Sequence, residues 1–276
     1  MPLTQTSDGI TLAWEQQGEG RDVIMVNYWN AHPDVFEPLA GELADRRVIR
    51  YHDRGSGDSD RVGPYDIETS AADLEAVAEA AGAARAAAVC ITDDTNRAVR
   101  VAERRPELID RVICIGGALV PRSVFADSGS DALIASDTVV GVFLAQLRTY
   151  FRGAIRSLID VGNPQMTPAE RAERVDKLIA FQQEEAVLDR LDAWQGDDEA
   201  TRIGRRLGDR LEILLGESPG GAWFPPSDQL EPILREQLPD AWFTRVSSGI
   251  ISAADEVAAV VRDRGRSATA GRRSAS

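Results

Sequence analysis

Short runs of aliphatic and β-branched residues alternate with stretches of helical period through the first half of the chain. ITLAWE (10–15), DVIMVN (22–27), RVIRYH (47–52), AAAVCI (86–91) and RVICIG (111–116) predict strands. Between them, 33–44 predicts a helix with Phe36, Leu39, Ala40 and Leu43 on one face. The stretch 70–81 predicts a second helix aligning Leu74, Val77 and Ala78, and 97–105 a third. Such alternation implies an α/β fold, with a mostly parallel central sheet flanked by helices on both faces.

The pattern changes after Gly117. Residues 120–205 read as helix with no convincing strand. One helix start is explicit. Thr167 suits the cap, Pro168 the first helical position, and Glu170 completes a capping box. Strand and helix alternation then returns with LEILLG (211–216), a helix over 227–238, AWFTRV (241–246) and a helix over 254–263. The organisation predicted is a core made of 1–119 and 206–264, an inserted helical cap over 120–205, and a small, polar, basic tail over 265–276 that lacks the apolar residues to order itself.

Composition narrows the function classes. The net charge of −14 would repel nucleic acid, because phosphate binding needs a basic surface. No stretch reaches the roughly 20 apolar residues of a membrane span, and MPLTQTSDG lacks the basic and apolar regions of a signal peptide. A cytoplasmic protein is expected. Cys90 and Cys114 lie inside apolar runs and predict buried small hydrophobes rather than a disulfide. With only His32 and His52 beside them, a structural metal site is not expected, and no cofactor is implied. Lys177 is the only lysine among many arginines, which, with the abundant alanine, points to a GC-rich bacterial coding sequence.

Several local signatures share one order. DGITLAWEQQGEG opens the chain as a hairpin; YHDRGSGDSD (51–60) carries Arg54, Gly55, Gly57, Ser59 and Asp60 in the pattern D-x-R-G-x-G-x-S-D. Pro64 and Tyr65 follow, and AERRPELIDRVICIGG (102–117) forms a helix-to-strand passage. Together these resemble the α/β-hydrolase superfamily over nearly the whole chain. The resemblance implies a nucleophile on a tight strand-to-helix elbow, usually G-x-S-x-G, a histidine near the C-terminus, an acid that orients it, and backbone N–H groups for the oxyanion.

Aligned on Arg105-Pro106, the elbow reads Cys90-Ile91-Thr92-Asp93-Asp94. Thr92 stands for the serine, and both glycines that would let the turn tighten are replaced. The loop after AWFTRV, Ser247-Ser248-Gly249-Ile250-Ile251-Ser252, contains no histidine, and Glu217 is the only carboxylate near the expected acid position. The oxyanion loop reads Asn27-Tyr28-Trp29-Asn30-Ala31-His32 in place of His-Gly. The sequence therefore predicts a degenerate triad.

Two readings stay open. In one, Thr92, Asp93 and Asp94 only cap the following helix, and the protein is a non-catalytic or strongly divergent member that binds a small apolar ligand between core and cap. Asn27, Tyr28, Trp29, Trp194 and Trp223 are the candidate lining of that pocket. In the other, the site is rewired for hydrolysis or lyase chemistry. Thr92 or, by a one-residue slip, Asp93 acts, His32 serves as base, and Asp94 or Glu217 assists. His52, at the aspartate position of D-x-R-G, is expected to anchor its loop.

Overall fold

The structure is a computed structural model that describes residues 1–28, 31–116, 119, 145–163, 166–194, 197–216, 227–247 and 253–263, with the side chains of 161–162 and 191–194 left aside. Eight strands form one sheet: β1 Leu3–Gln5, β2 Thr11–Gln17, β3 Arg21–Val26, β4 Arg46–Tyr51, β5 Ala86–Ile91, β6 Ile109–Ile115, β7 Leu211–Gly216 and β8 Trp242–Val246. Their spatial order is β1-β2-β4-β3-β5-β6-β7-β8. Only the β1–β2 and β2–β4 pairs are antiparallel; every pairing from β4 through β3 to β8 is parallel.

The helices are α1 Glu37–Glu42, α2 Ile67–Ala80, α3 Thr95–Arg104, α4 Phe151–Gly162, α5 Pro168–Phe181, α6 Glu184–Trp194, α7 Asp198–Leu207, α8 Ser227–Gln237 and α9 Ala254–Arg262. Alternate strand residues feed two cores, as the period of two requires. Ile24, Val26, Ala86, Ala88 and Cys90 face a core that also takes Leu74 and Val77 of α2, Val99 and Val101 of α3, and Leu230 and Leu234 of α8. Met25, Val89 and Ile91 face the opposite core with Leu39 of α1 and Val257 and Val261 of α9. Both cysteines are buried thiols outside any disulfide, as their apolar settings predicted.

A third apolar cluster joins Phe151, Ala154, Ile155 and Ile159 of α4 to Val175 and Leu178 of α5 and Val187 of α6. Helix α7 does not belong to it. Ala200, Ile203 and Leu207 pack into the sheet-side core with α3. The capping box at Thr167 is formed in full, with Glu170 N–H donating to the Thr167 hydroxyl and Thr167 N–H donating to the Glu170 carboxylate.

Two elements differ from the sequence expectation. The predicted helix over 33–44 is a 3₁₀ turn, Pro33–Phe36, followed by the short α1. Pro38 lies in the first turn of α1, and without an N–H it cannot continue a helix begun earlier. Strand β1 was not anticipated, because its three residues offer only one half-buried side chain, Thr4, and no repeating pattern. Among the described residues no helix is long and apolar enough to cross a membrane.

Candidate functional site

Strand β5 is buried along its whole length and ends at Ile91. Thr92–Asp94 then turn in a 3₁₀ helix that runs into α3. Thr92 has φ +44°, one of the few non-glycine residues with positive φ among those described. A β-branched side chain is disfavoured there, and such strain costs about 1–3 kcal/mol. The sharp elbow therefore forms without its glycines, with the strained conformation on Thr92 and not on Asp93. Thr92 is only 2% exposed, and its hydroxyl is buried with no hydrogen-bond partner.

The side chains of this turn do not cap α3. Asp94 sits at the cap position in helical conformation, φ −65° and ψ −13°, and makes no capping hydrogen bond. Its carboxylate instead accepts from Arg97 at 2.6 Å, one turn on. Arg97 is fully buried and also donates to Asp53 at 2.5 and 3.3 Å and to the main-chain carbonyl of Asn27. Its guanidinium carbon lies 5.8 Å from the centre of the Tyr51 ring. One arginine thus ties the ends of β3, β4 and β5 together. Asp94, standing where a glycine is expected, is accommodated because Arg97 neutralises it.

Nothing in the sequence marked Arg97 or Asp53. The available signal was α3 itself. Ala98, Val99, Val101 and Ala102 cover so much of that helix that Arg97, just before them, and Arg100, among them, are buried too.

Asp93 keeps part of its residue surface, yet its carboxyl is desolvated, and burial alone pushes its pKa up to about 6. No cation or hydrogen-bond donor stands against it among the described residues. Desolvation without a partner disfavours the charged form.

The two histidines lie beside a different group. His32 caps the 3₁₀ turn, its Nδ1 accepting from Asp34 N–H at 3.2 Å. The Nδ1 of His52 accepts from Asp58 N–H at 3.0 Å. Both rings pack on Phe181, with centroids 4.7 Å from His32 and 4.9 Å from His52. The described hydrogen bonds of His32 run to Asp34 and not to Thr92 or Asp93. Burial lowers the pKa of each imidazole, against the opposing pull of Asp34 on His32 and Asp58 on His52.

Of the expected pocket lining, Asn27 is 2% exposed and donates its side-chain amide to the Tyr51 carbonyl, so it serves the joint between β3 and β4. Tyr28 is partly buried and touches both the α1–α9 core and the α4–α6 cluster, which puts it at the seam between sheet and helical segment. Trp29, Trp223, Glu217 and the loop 248–252 lie outside the described residues, as does the side chain of Trp194. A small apolar hollow lies close by, between Val35, Phe36 and Leu39, the strand ends Ile91 and Ile115, and Ala254 and Val257. Among the described residues no group of three or more His, Cys, Asp or Glu is placed to hold a metal ion.

No family model matches the sequence. Comparison with solved structures identifies the architecture as the α/β-hydrolase fold. The chain superposes on a bromoperoxidase from Bacillus anthracis with a TM-score of 0.77 at 16% identity, covering 94% of this chain and 98% of that one. For the enol-lactonase from Burkholderia xenovorans the values are 0.71 and 18%, covering 94% and 96%. An alpha/beta hydrolase from Sphaerobacter thermophilus gives 0.63 and 23%, covering 94% and 98%. At these identities the likeness is one of fold.

Proposed function

We propose that this chain is a non-catalytic or strongly divergent protein of α/β-hydrolase fold, binding a small apolar ligand between the strand ends and a cap formed by α4–α6. The observation that carries the reading is the separation of roles at the site. Thr92 holds the elbow position with a buried, unpartnered hydroxyl. Both histidines in the sequence are turned to Phe181 and to their own loops. A hydroxyl without a base beside it is a weak nucleophile, and loss of one triad member alone costs orders of magnitude in rate. The chemistry named for the structural neighbours, such as ester or enol-lactone hydrolysis, would need those parts in contact.

The raised pKa of Asp93 favours a second reading, in which the elbow region carries proton-transfer chemistry of a hydrolase or lyase kind. A carboxyl with a pKa of about 6 is poised to exchange protons near neutral pH. One experiment separates the two. The protein is exposed to a fluorophosphonate probe and a panel of small esters, beside a thermal-shift screen of apolar ligands. Ligand-induced stabilisation without labelling or turnover supports binding. Labelling at Thr92 sinks it, and turnover that survives Thr92→Ala but not Asp93→Asn establishes the second reading.

A further inference from the structure

The turn between α5 and α6 lies across two loops at the C-terminal edge of the sheet. Gly57 N–H donates to the Phe181 carbonyl at 2.7 Å, and Gln183 N–H donates to the Gly55 carbonyl at 2.8 Å. Gln182 donates its side-chain amide to the Ala31 carbonyl at 3.1 Å, and Lys177 reaches Asp34 at 2.7 Å. Arg61 donates to the carbonyls of Ala180 and Phe181. At the centre the Phe181 ring sits between His32 and His52. The fit at Gly57 is close. A Cβ there would lie 2.3 Å from Nδ1 of His52 and 2.6 Å from the Phe181 ring.

Each imidazole works as an acceptor. Nδ1 of His32 takes the Asp34 N–H, and Nδ1 of His52 takes the Asp58 N–H. A protonated imidazole has two donors and no acceptor. Protonation would therefore set N–H against N–H at both contacts, leaving Asp34 Oδ1, 3.3 Å from Nδ1 of His32, to accept the new N–H there, and would add like charge beside one aromatic ring.

We propose that His32 and His52 form an acid-release catch, which holds the α5–α6 turn on the sheet edge while both rings are neutral and frees it when they take up protons. The surrounding charges decide the sign. His32 faces Asp34 on its own turn, Lys177 from α5, and His52, while Arg174 acts on Asp34. His52 faces Asp58 and Asp53 on its own loop, Glu15 from β2 and the N-terminal amine. The carboxylates favour the protonated rings, yet burial outweighs them and both histidines stay below their ordinary value of 6.5. The docked state thus binds fewer protons than the released one. Docking is complete above about pH 6.5 and weakens as the pH falls below it. The catch does not depend on whether the elbow is catalytic.

The amides of Gly57 and Gln183 cross the joint and report on it directly. Hydrogen exchange of the full chain is followed at pH 7.5 and 5.5, corrected for intrinsic rates, with strand β5 as internal reference. Protection of those two amides should fall severalfold from pH 7.5 to 5.5, while β5 is unchanged. Asparagine supplies an acceptor near Nδ1 that does not titrate, so H32N/H52N should keep equal protection at both pH values. An unchanged wild type, or the same loss in the double variant, overturns the proposal. If the double variant is undocked already at pH 7.5, NMR titration of the wild-type rings decides. Two histidine pKa values below 6.5 uphold the catch, and values at or above it overturn it.

Discussion

Replacing Arg97 with methionine tests the buried cluster that holds the elbow. Arg97 is 0% exposed, and its partners Asp53 and Asp94 are 2% and 0% exposed. Methionine fills much of the same volume but removes the guanidinium from both carboxylates, and the donor from the Asn27 carbonyl. Breaking a buried pair from one side costs about 3–5 kcal/mol, because the remaining charge is uncompensated. Against a typical total of about 5–15 kcal/mol, the variant would be marginally folded at neutral pH. Most of that loss is charge rather than packing, so R97M/D53N/D94N should recover more than half of it. Urea unfolding followed by circular dichroism, at pH 7.5 and 5.5, gives both numbers. A loss under about 1 kcal/mol in R97M, or no recovery in the triple variant, would refute the assignment of Arg97 as the elbow's counter-ion.

Three further outcomes follow from particular residues. Thr92→Gly should stabilise the fold by about 1 kcal/mol by removing a β-branched side chain from positive φ, measured by the urea midpoint; a lower midpoint would mean that the turn is not strained. Asp93→Asn should raise stability at pH 7–8 by about 2 kcal/mol, allowing for the part of the residue that solvent reaches. The folded pKa of Asp93 is raised to about 6 from 3.8, so its carboxyl favours folding most below 3.8 and that contribution is lost as pH rises through 6. The variant should therefore lose the decline between pH 4 and 6, and a retained decline would contradict the burial argument. Gly57→Ala should destabilise by more than about 1 kcal/mol, since φ is +51° and the new methyl meets His52 and Phe181; an unchanged melting temperature would contradict the close fit.

The parts of this molecule legible in the sequence are those set by local pattern. Strand β5 and the turn after it could be placed because six small or apolar residues end abruptly at Thr92-Asp93-Asp94. The capping box at Thr167 could be read because its partners are three residues apart. What escaped depends on contacts between distant segments. One reading had Asp94 capping a helix, but its carboxylate is taken by Arg97, which Asp53 from another strand end also holds. His32 was a candidate base only in the rewired reading; its described contacts are to Asp34 and to Phe181, which arrives from the far end of α5. The helical period of α7 is visible in sequence, while its packing against α3 is not.

On the proposed reading the elbow holds a hydroxyl with no histidine hydrogen-bonded to it among the described residues. The most direct test of that reading is hydrolysis of p-nitrophenyl acetate and butyrate by wild type and Thr92→Ala under identical conditions. Both should release p-nitrophenol at the same rate, no faster than an unrelated protein of similar charge. A burst followed by turnover in the wild type, abolished in Thr92→Ala, would contradict it.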